Sequence, residues 1–290
     1  MRYLMVGTGA VGTLIAKSLS DETGLFLDLR KHKVNSNRFI YNSIKVGAVE
    51  SKQTFQRFAQ EAIDFVIISI KYSSSFISDL KEVALHLDDL ESYKVLLVQN
   101  GYRHVEVAEE IWGIENIYWG SLWSLQATKT ENLIATRNIA VPRLDLEDIE
   151  GIRSFGFASG NSWLEVSYRK NVIFQKMPRW LLYSTLCSYS RRDLGHILNE
   201  EFEQHSISLI EEINEVFADR LEEPYTYSTF VEETRHMNYN FKPSSLMDVE
   251  RGRIPEVYWV LLDFIQDGQD KGLGMNNSRF FANSIVRNLA

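Results

Sequence analysis

Residues 7–12 read Gly-Thr-Gly-Ala-Val-Gly. They lie between an apolar run, Tyr3-Leu4-Met5-Val6, and a helical pattern formed by Val11, Leu14, Ile15 and Leu19. A strand that turns through glycines directly into a helix constrains the fold more than any other stretch of this chain. Gly7 permits the tight turn, Gly9 lets the backbone approach a ligand, and Gly12 lets the helix pack close to the strand. The start of the helix offers unpaired N–H groups and a partial positive charge, which suit a pyrophosphate. On this reading Gly7, Thr8, Gly9, Ala10, Val11 and Gly12 form a dinucleotide-binding turn.

The following sequence alternates strand-like runs with amphipathic stretches. The strands are read at Tyr3–Val6, Leu25–Leu29, Phe65–Ile70, Val95–Val98 and Asn116–Trp119. Helical patterns fall near 11–20, 53–63, 74–87 and 104–112. Such alternation indicates a parallel sheet covered by helices on both faces. Between 121 and 168, short runs at Leu133–Ala135, Asn138–Val141 and Trp163–Val166 suggest an antiparallel extension. Beyond about 170 the pattern is helical, with clear periodicity over 199–219, 256–271 and 277–289. The expected architecture is α/β: a Rossmann-type doubly wound domain over 1–168, then an all-helical domain over 169–290. In a doubly wound sheet the ligand sits at the carboxyl ends of the strands. The helical domain is expected to close over it and to carry the substrate and catalytic groups.

Composition narrows the function. The chain is 44% hydrophobic and 24% charged, the balance of a globular protein with a substantial core. Its net charge of −8 argues against a nucleic-acid partner. The six histidines form no HxH or HxxxH pair, so no metal site is expected, and no GxSxG elbow is present. Cys187 is the single cysteine and follows Leu186, which favours a core thiol. No apolar run approaches the ~20 residues of a membrane span. No basic leader precedes the first strand, and the expected location is the cytoplasm.

The choice of dinucleotide turns on Leu27-Asp28-Leu29-Arg30-Lys31. An acid at the end of the second strand would bind the ribose hydroxyls of NAD. Leu29 falls in that slot and Arg30 follows it. A guanidinium there suits a 2′-phosphate, which favours NADPH. Asp28, one register earlier, keeps NADH open as the alternative.

Several segments together resemble the ketopantoate reductase family. They are the amino-terminal GTGAVG, Arg30, Ile68-Ser69-Ile70-Lys71 and Val98-Gln99-Asn100-Gly101. Far downstream, Ser244, Asp248, Gly252, Arg253 and Glu256 keep the family's spacing of a Ser-Met pair, an Asp and Gly-Arg-x-Thr-Glu. Ser245 stands where Met is usual and Pro255 where Thr is usual. The resemblance implies NADPH-dependent reduction of a 2-oxo acid to a D-2-hydroxy acid. It implies Lys176, in Phe174-Gln175-Lys176-Met177, as the acid catalyst, with Glu256 orienting it. It also places Lys71 beside the cofactor, Asn100 at the nicotinamide and substrate, and Ser244 on the substrate. Chemistry agrees on Lys176, because an ammonium beside a ketone can stabilise and protonate the developing alkoxide.

The chain departs from that family one and two helical turns after the lysine. Trp180 and Ser184 occupy positions where asparagines usually face the substrate. An indole wall favours an apolar or aromatic 2-oxo acid over ketopantoate. Pro178, two residues after Lys176, either kinks the helix or marks its start. A second reading from another class is a dinucleotide-binding sensor or partner protein that has lost the chemistry. The helical half offers surface for a homodimer.

Overall fold

The computed structural model describes residues 2–7, 9, 11–12, 15, 23–27, 63–87, 93–123, 127–129, 134–136, 142–155 and 164–289. Contacts divide the chain into two compact units, Met1–Val172 and Ile173–Ala290.

In the first unit, seven strands form one sheet. They are β1 (Arg2–Val6), β2 (Thr23–Leu27), β3 (Phe65–Ile68), β4 (Lys94–Leu97), β5 (Ile117–Trp123), β8 (Arg143–Glu147) and β9 (Glu165–Arg169). Their order is β2-β1-β3-β4-β5-β8-β9. The first five pair in parallel; β8 lies antiparallel to β5. The two short strands between, β6 (Ala127–Lys129) and β7 (Ile134–Thr136), pair only with each other. Tyr3 to Val6, Phe65 to Ile68 and Val95 to Leu97 are buried at every position. Such unbroken burial fits central strands whose two faces are both covered. Helices α1 (Phe76–Leu87) and α2 (Arg103–Trp112) follow β3 and β4. The doubly wound α/β class read from the sequence is the observed one.

The carboxyl-side extension differs from its expected form. β8 runs against β5, and β6 against β7, whereas β9 pairs in parallel with β8, with Asp145 opposite Ser167. Runs of alternating residues carry no information about strand direction, which depends on the path of the connecting chain. The expected strand at 138–141 and most of the stretches at 11–20 and 53–63 lie outside the described residues.

The second unit contains α3 (Val172–Ser190) with its first residue in the first unit. It continues with α4 (Leu194–Ile197), α5 (Glu200–Val216), α6 (Tyr227–Thr234), α7 (Ser244–Glu250), α8 (Glu256–Asp270) and α9 (Asn276–Arg287). The helices expected over 199–219, 256–271 and 277–289 are α5, α8 and α9, each differing by a few residues at its ends. Phe202, Ser206, Leu209, Ile210, Ile213 and Val216 make the buried stripe of α5 at the spacing of one helix face. Buried Glu212 on that stripe caps α9. Its carboxylate accepts from the backbone N–H groups of Asn277 (2.8 Å) and Ser278 (2.9 Å). Two of the otherwise unpaired amides at the start of α9 are thereby satisfied. Cys187 is buried, and burial pushes its thiol up, as expected of a core thiol. No helix among the described residues is long and apolar enough to cross a membrane.

The core of the first unit holds a titratable group. His104 on α2 is fully buried, edge-on to Phe76 of α1 at 6.5 Å between ring centroids. Neither ring nitrogen has a hydrogen-bond partner among the described residues. Burial pulls its pKa down from 6.5 to about 3. The folded protein therefore holds the ring neutral where the unfolded chain takes up a proton. Stability from this site is complete above pH 6.5 and is lost as pH falls towards about 3. His104→Leu is expected to flatten that part of the stability profile by up to ~1.4 kcal/mol per pH unit. Urea midpoints of both proteins between pH 7 and pH 4 check this; parallel profiles would assign the proton uptake elsewhere.

Candidate functional site

The carboxyl end of the parallel sheet gathers three loops. β1 has β2 on one side and β3 on the other, so the chain reverses its winding at β1. In open α/β sheets that reversal leaves a crevice where ligands bind. The turn after β1 carries Gly7, Gly9, Val11 and Gly12; the loop after β3 carries Ser69 and Lys71; the loop after β4 carries Gln99 and Asn100. The order β1-β3-β4 places these loops side by side.

Packing at the turn explains its glycines. Gly7 has φ +108°, which side-chain-bearing residues rarely adopt. Helical backbone is already established at Val11 and Gly12. A Cβ on Gly12 would collide with the carbonyl oxygen of Gly7 and with Ser69 Oγ. A Cβ on Gly9 would meet nothing within 4 Å, and Gly9 is exposed. The protein itself therefore requires the absence of a side chain at Gly12, while at Gly9 it leaves open space for an approaching ligand. Thr8, Ala10 and Arg30 lie outside the described residues.

Two residues that sequence reasoning missed as site builders hold this end of the sheet. The backbone N–H of Ser69 donates to Val6 O at 2.8 Å, and its hydroxyl lies 3.1 Å from Gly7 O and 3.2 Å from Val6 O. Ser69 thereby ties the loop after β3 to the glycine turn. Buried Gln99 donates through Nε2 to Ile68 O at 2.8 Å, fastening β4 to β3 one strand further on. The available signal was a polar residue placed directly after each apolar strand. Lys71 and Asn100 are half-buried beside these anchors.

In the helical unit the expected residues fall on three elements. Lys176 lies in the second turn of α3 and is half-buried. Trp180 and Ser184 follow at intervals of four, on the same side of the helix. Trp180 is 4% exposed and Ser184 is fully buried, its hydroxyl lacking a hydrogen-bond partner among the described residues. The helix runs through Pro178 as one element, so Lys176 belongs to its body, not to a segment before it. Ser244 opens α7 and is exposed, whereas Ser245 beside it is buried. Glu256 is the first residue of α8, after Pro255 at the cap position, and is 6% exposed. The turn between α7 and α8 is closed by Arg253 N donating to Asp248 O at 2.9 Å. That turn links the helix that opens at Ser244 to the helix that opens at Glu256.

A cation near Lys176 in sequence has a structural partner. Arg179 donates to the carbonyl of Glu233 at 3.4 Å, and its Nε lies 4.0 Å from the Glu233 carboxylate. That carboxylate also accepts from the Tyr225 hydroxyl at 2.6 Å. Burial pushes the hydroxyl of Tyr183, four residues after Arg179, up to about 12.

This combination defines an α/β dinucleotide-binding domain joined to a helical unit. Residues 3–139 match the family model of ketopantoate reductase PanE/ApbA. The resemblance read from the sequence is therefore shown over that domain. No curated protein matches the chain in sequence. Solved structures share its fold. The ternary structure of D-mandelate dehydrogenase with NADH and anilino(oxo)acetate aligns with TM-score 0.79 at 16% identity, covering 100% of this chain and 98% of that one. The 2-dehydropantoate 2-reductase of Geobacter metallireducens GS-15 aligns with TM-score 0.78 at 19% identity, covering 100% of both chains. A dimeric ketopantoate reductase of Staphylococcus aureus aligns with TM-score 0.74 at 17% identity, again over 100% of both.

Replacing the two glycines separates packing from binding. Gly12→Ala is expected to lower the thermal midpoint and to weaken NADPH binding at least about tenfold, equivalent to ~1.4 kcal/mol. Gly9→Ala is expected to weaken NADPH binding similarly while leaving the midpoint of the free protein unchanged. Nicotinamide fluorescence titration and thermal unfolding read both.

Proposed function

We propose that this protein reduces a 2-oxo acid to a D-2-hydroxy acid with NADPH. The observation that carries the reading is the glycine turn at the sheet's winding reversal, where Gly12 is sterically obligatory and Gly9 faces open space. That turn fits a dinucleotide pyrophosphate through its backbone N–H groups. Arg30 would meet the 2′-phosphate, with Lys71 and Asn100 nearer the nicotinamide. NADPH, when bound, would supply the hydride that reduces the substrate's ketone carbon.

The chain's own residues do the rest. Lys176 holds an ammonium at the carbonyl oxygen and delivers its proton there as negative charge develops. Glu256, a carboxylate buried at the start of α8, orients that ammonium. Ser244 and Asn100 position the substrate by hydrogen bonds. Lys176 recovers its proton from solvent after each turnover.

The substrate class proposed is an apolar or aromatic 2-oxo acid. Trp180 and Ser184 replace the amides expected there with an indole and a small hydroxyl, removing polar recognition and adding an apolar wall. The likeness to D-mandelate dehydrogenase, whose structure holds anilino(oxo)acetate, supports this choice.

Phenylpyruvate and benzoylformate are expected to oxidise NADPH with kcat/KM at least about tenfold above ketopantoate. Lys176→Ala is expected to lower kcat by ~10²–10⁴, the range of general acid catalysis. Preference for ketopantoate would overturn the aromatic assignment. Tight NADPH binding without turnover of any 2-oxo acid would instead support a dinucleotide sensor.

A further inference from the structure

The last turn of α3, the short helix α4 and the first turns of α5 line a half-open cavity of about 370 Å³ within the helical unit. That volume lies in the ~300–1,000 Å³ range of small-molecule pockets. Tyr189 in its wall stands thirteen residues beyond Lys176, about 20 Å further along the axis of α3. The cavity shares no residue with the proposed catalytic groups.

Its lining combines two chemistries. One part is aromatic: Tyr189 meets His205 edge-on at 5.9 Å, and Phe202 lies 6.2 Å from the same ring. Phe281 contacts His205 edge-on at 5.6 Å and fixes it in place. The other part is charged. Arg192 and Glu201 both line the cavity and both are exposed. Neither forms a hydrogen bond or an ion pair among the described residues. Ser190 donates its hydroxyl hydrogen to Leu186 O at 2.7 Å, which leaves its oxygen free to accept.

Arg192 and Glu201 offer a guanidinium and a carboxylate at one cavity, which suits a ligand carrying both opposite charges. We propose that this cavity binds a free α-amino acid with an apolar or aromatic side chain. The ligand carboxylate pairs with Arg192, whose fork suits two parallel hydrogen bonds. The ammonium lies towards Glu201 and the Ser190 oxygen. The side chain packs on Tyr189 and Phe202, where an aromatic ring gains an edge-to-face contact. A simple carboxylate would leave Glu201 facing like charge, and a simple amine would leave Arg192 uncompensated. Binding at this cavity is independent of whether the protein is a reductase.

L-Phenylalanine titrated into the full-length protein by isothermal calorimetry tests the proposal, beside phenylacetate, phenethylamine and glycine. Each of these three lacks one feature of the ligand. One-to-one saturable binding of phenylalanine is expected, with each analogue at least about tenfold weaker. Arg192→Gln and Glu201→Gln are each expected to weaken phenylalanine at least about tenfold. Both positions are exposed, so circular dichroism and thermal midpoint are expected to stay unchanged. Phenylacetate binding as tightly as phenylalanine, indifference to both substitutions, or the absence of saturable phenylalanine binding would each overturn the proposal.

Discussion

The first unit depends on how closely its opening helix approaches the strand before it. At Gly12 the backbone comes so near the Gly7 carbonyl and Ser69 Oγ that no side-chain carbon fits. This contact fixes where the helix begins, and so where its unpaired N–H groups point. It also makes β3 part of the turn, because Ser69 bonds to Val6 and Gly7 at the same point. Gln99 repeats the device between β4 and β3. The carboxyl end of the sheet is thus held by side chain–backbone hydrogen bonds beyond the ladder itself. Each buried bond of this kind contributes about 1 kcal/mol net, and leaving its partner unpaired costs more.

A comparable economy governs the helical unit. α5 presents one buried stripe, and Glu212 within it caps the start of α9. A buried carboxylate is tolerated there because backbone amides answer it, as burial without partners would be costly. α3 behaves differently. Its face at Trp180 and Ser184 is buried, and several of its hydroxyls, at Ser184, Thr185 and Ser188, have no partner among the described residues. Pro178 removes a backbone donor from the same helix without ending it. Nineteen residues of helix and a largely buried body outweigh the loss of a single bond at that position.

The division of labour proposed for the chain follows from these two constructions. A turn anchored by Ser69 at the sheet end suits the part of a dinucleotide that does not react. The groups assigned to chemistry, Lys176 and Glu256, stand on separate helices, and a hydrogen-bonded turn joins the Ser244 helix to the Glu256 helix. The same helical unit carries a cavity whose unpaired charges belong to neither task.

Sequence alone determined the local elements. The glycine turn, the apolar runs of β1, β3 and β4, and the periodic helices α5, α8 and α9 were legible because their signals repeat over a few residues. Lys176, Trp180 and Glu256 became candidates through the resemblance to the ketopantoate reductase family and the departure from it. Tertiary structure decided what depends on partners far away in the chain. It made β9 parallel to β8, joined Ser69 to a turn more than sixty residues earlier, and buried His104 and Glu212 with opposite outcomes. His104 is held neutral by burial with no hydrogen-bond partner among the described residues, whereas Glu212 is answered by two amides. Periodicity places a residue on a face of an element. What meets that face is fixed only when the elements pack, and the free energy of a buried polar group is set by that meeting.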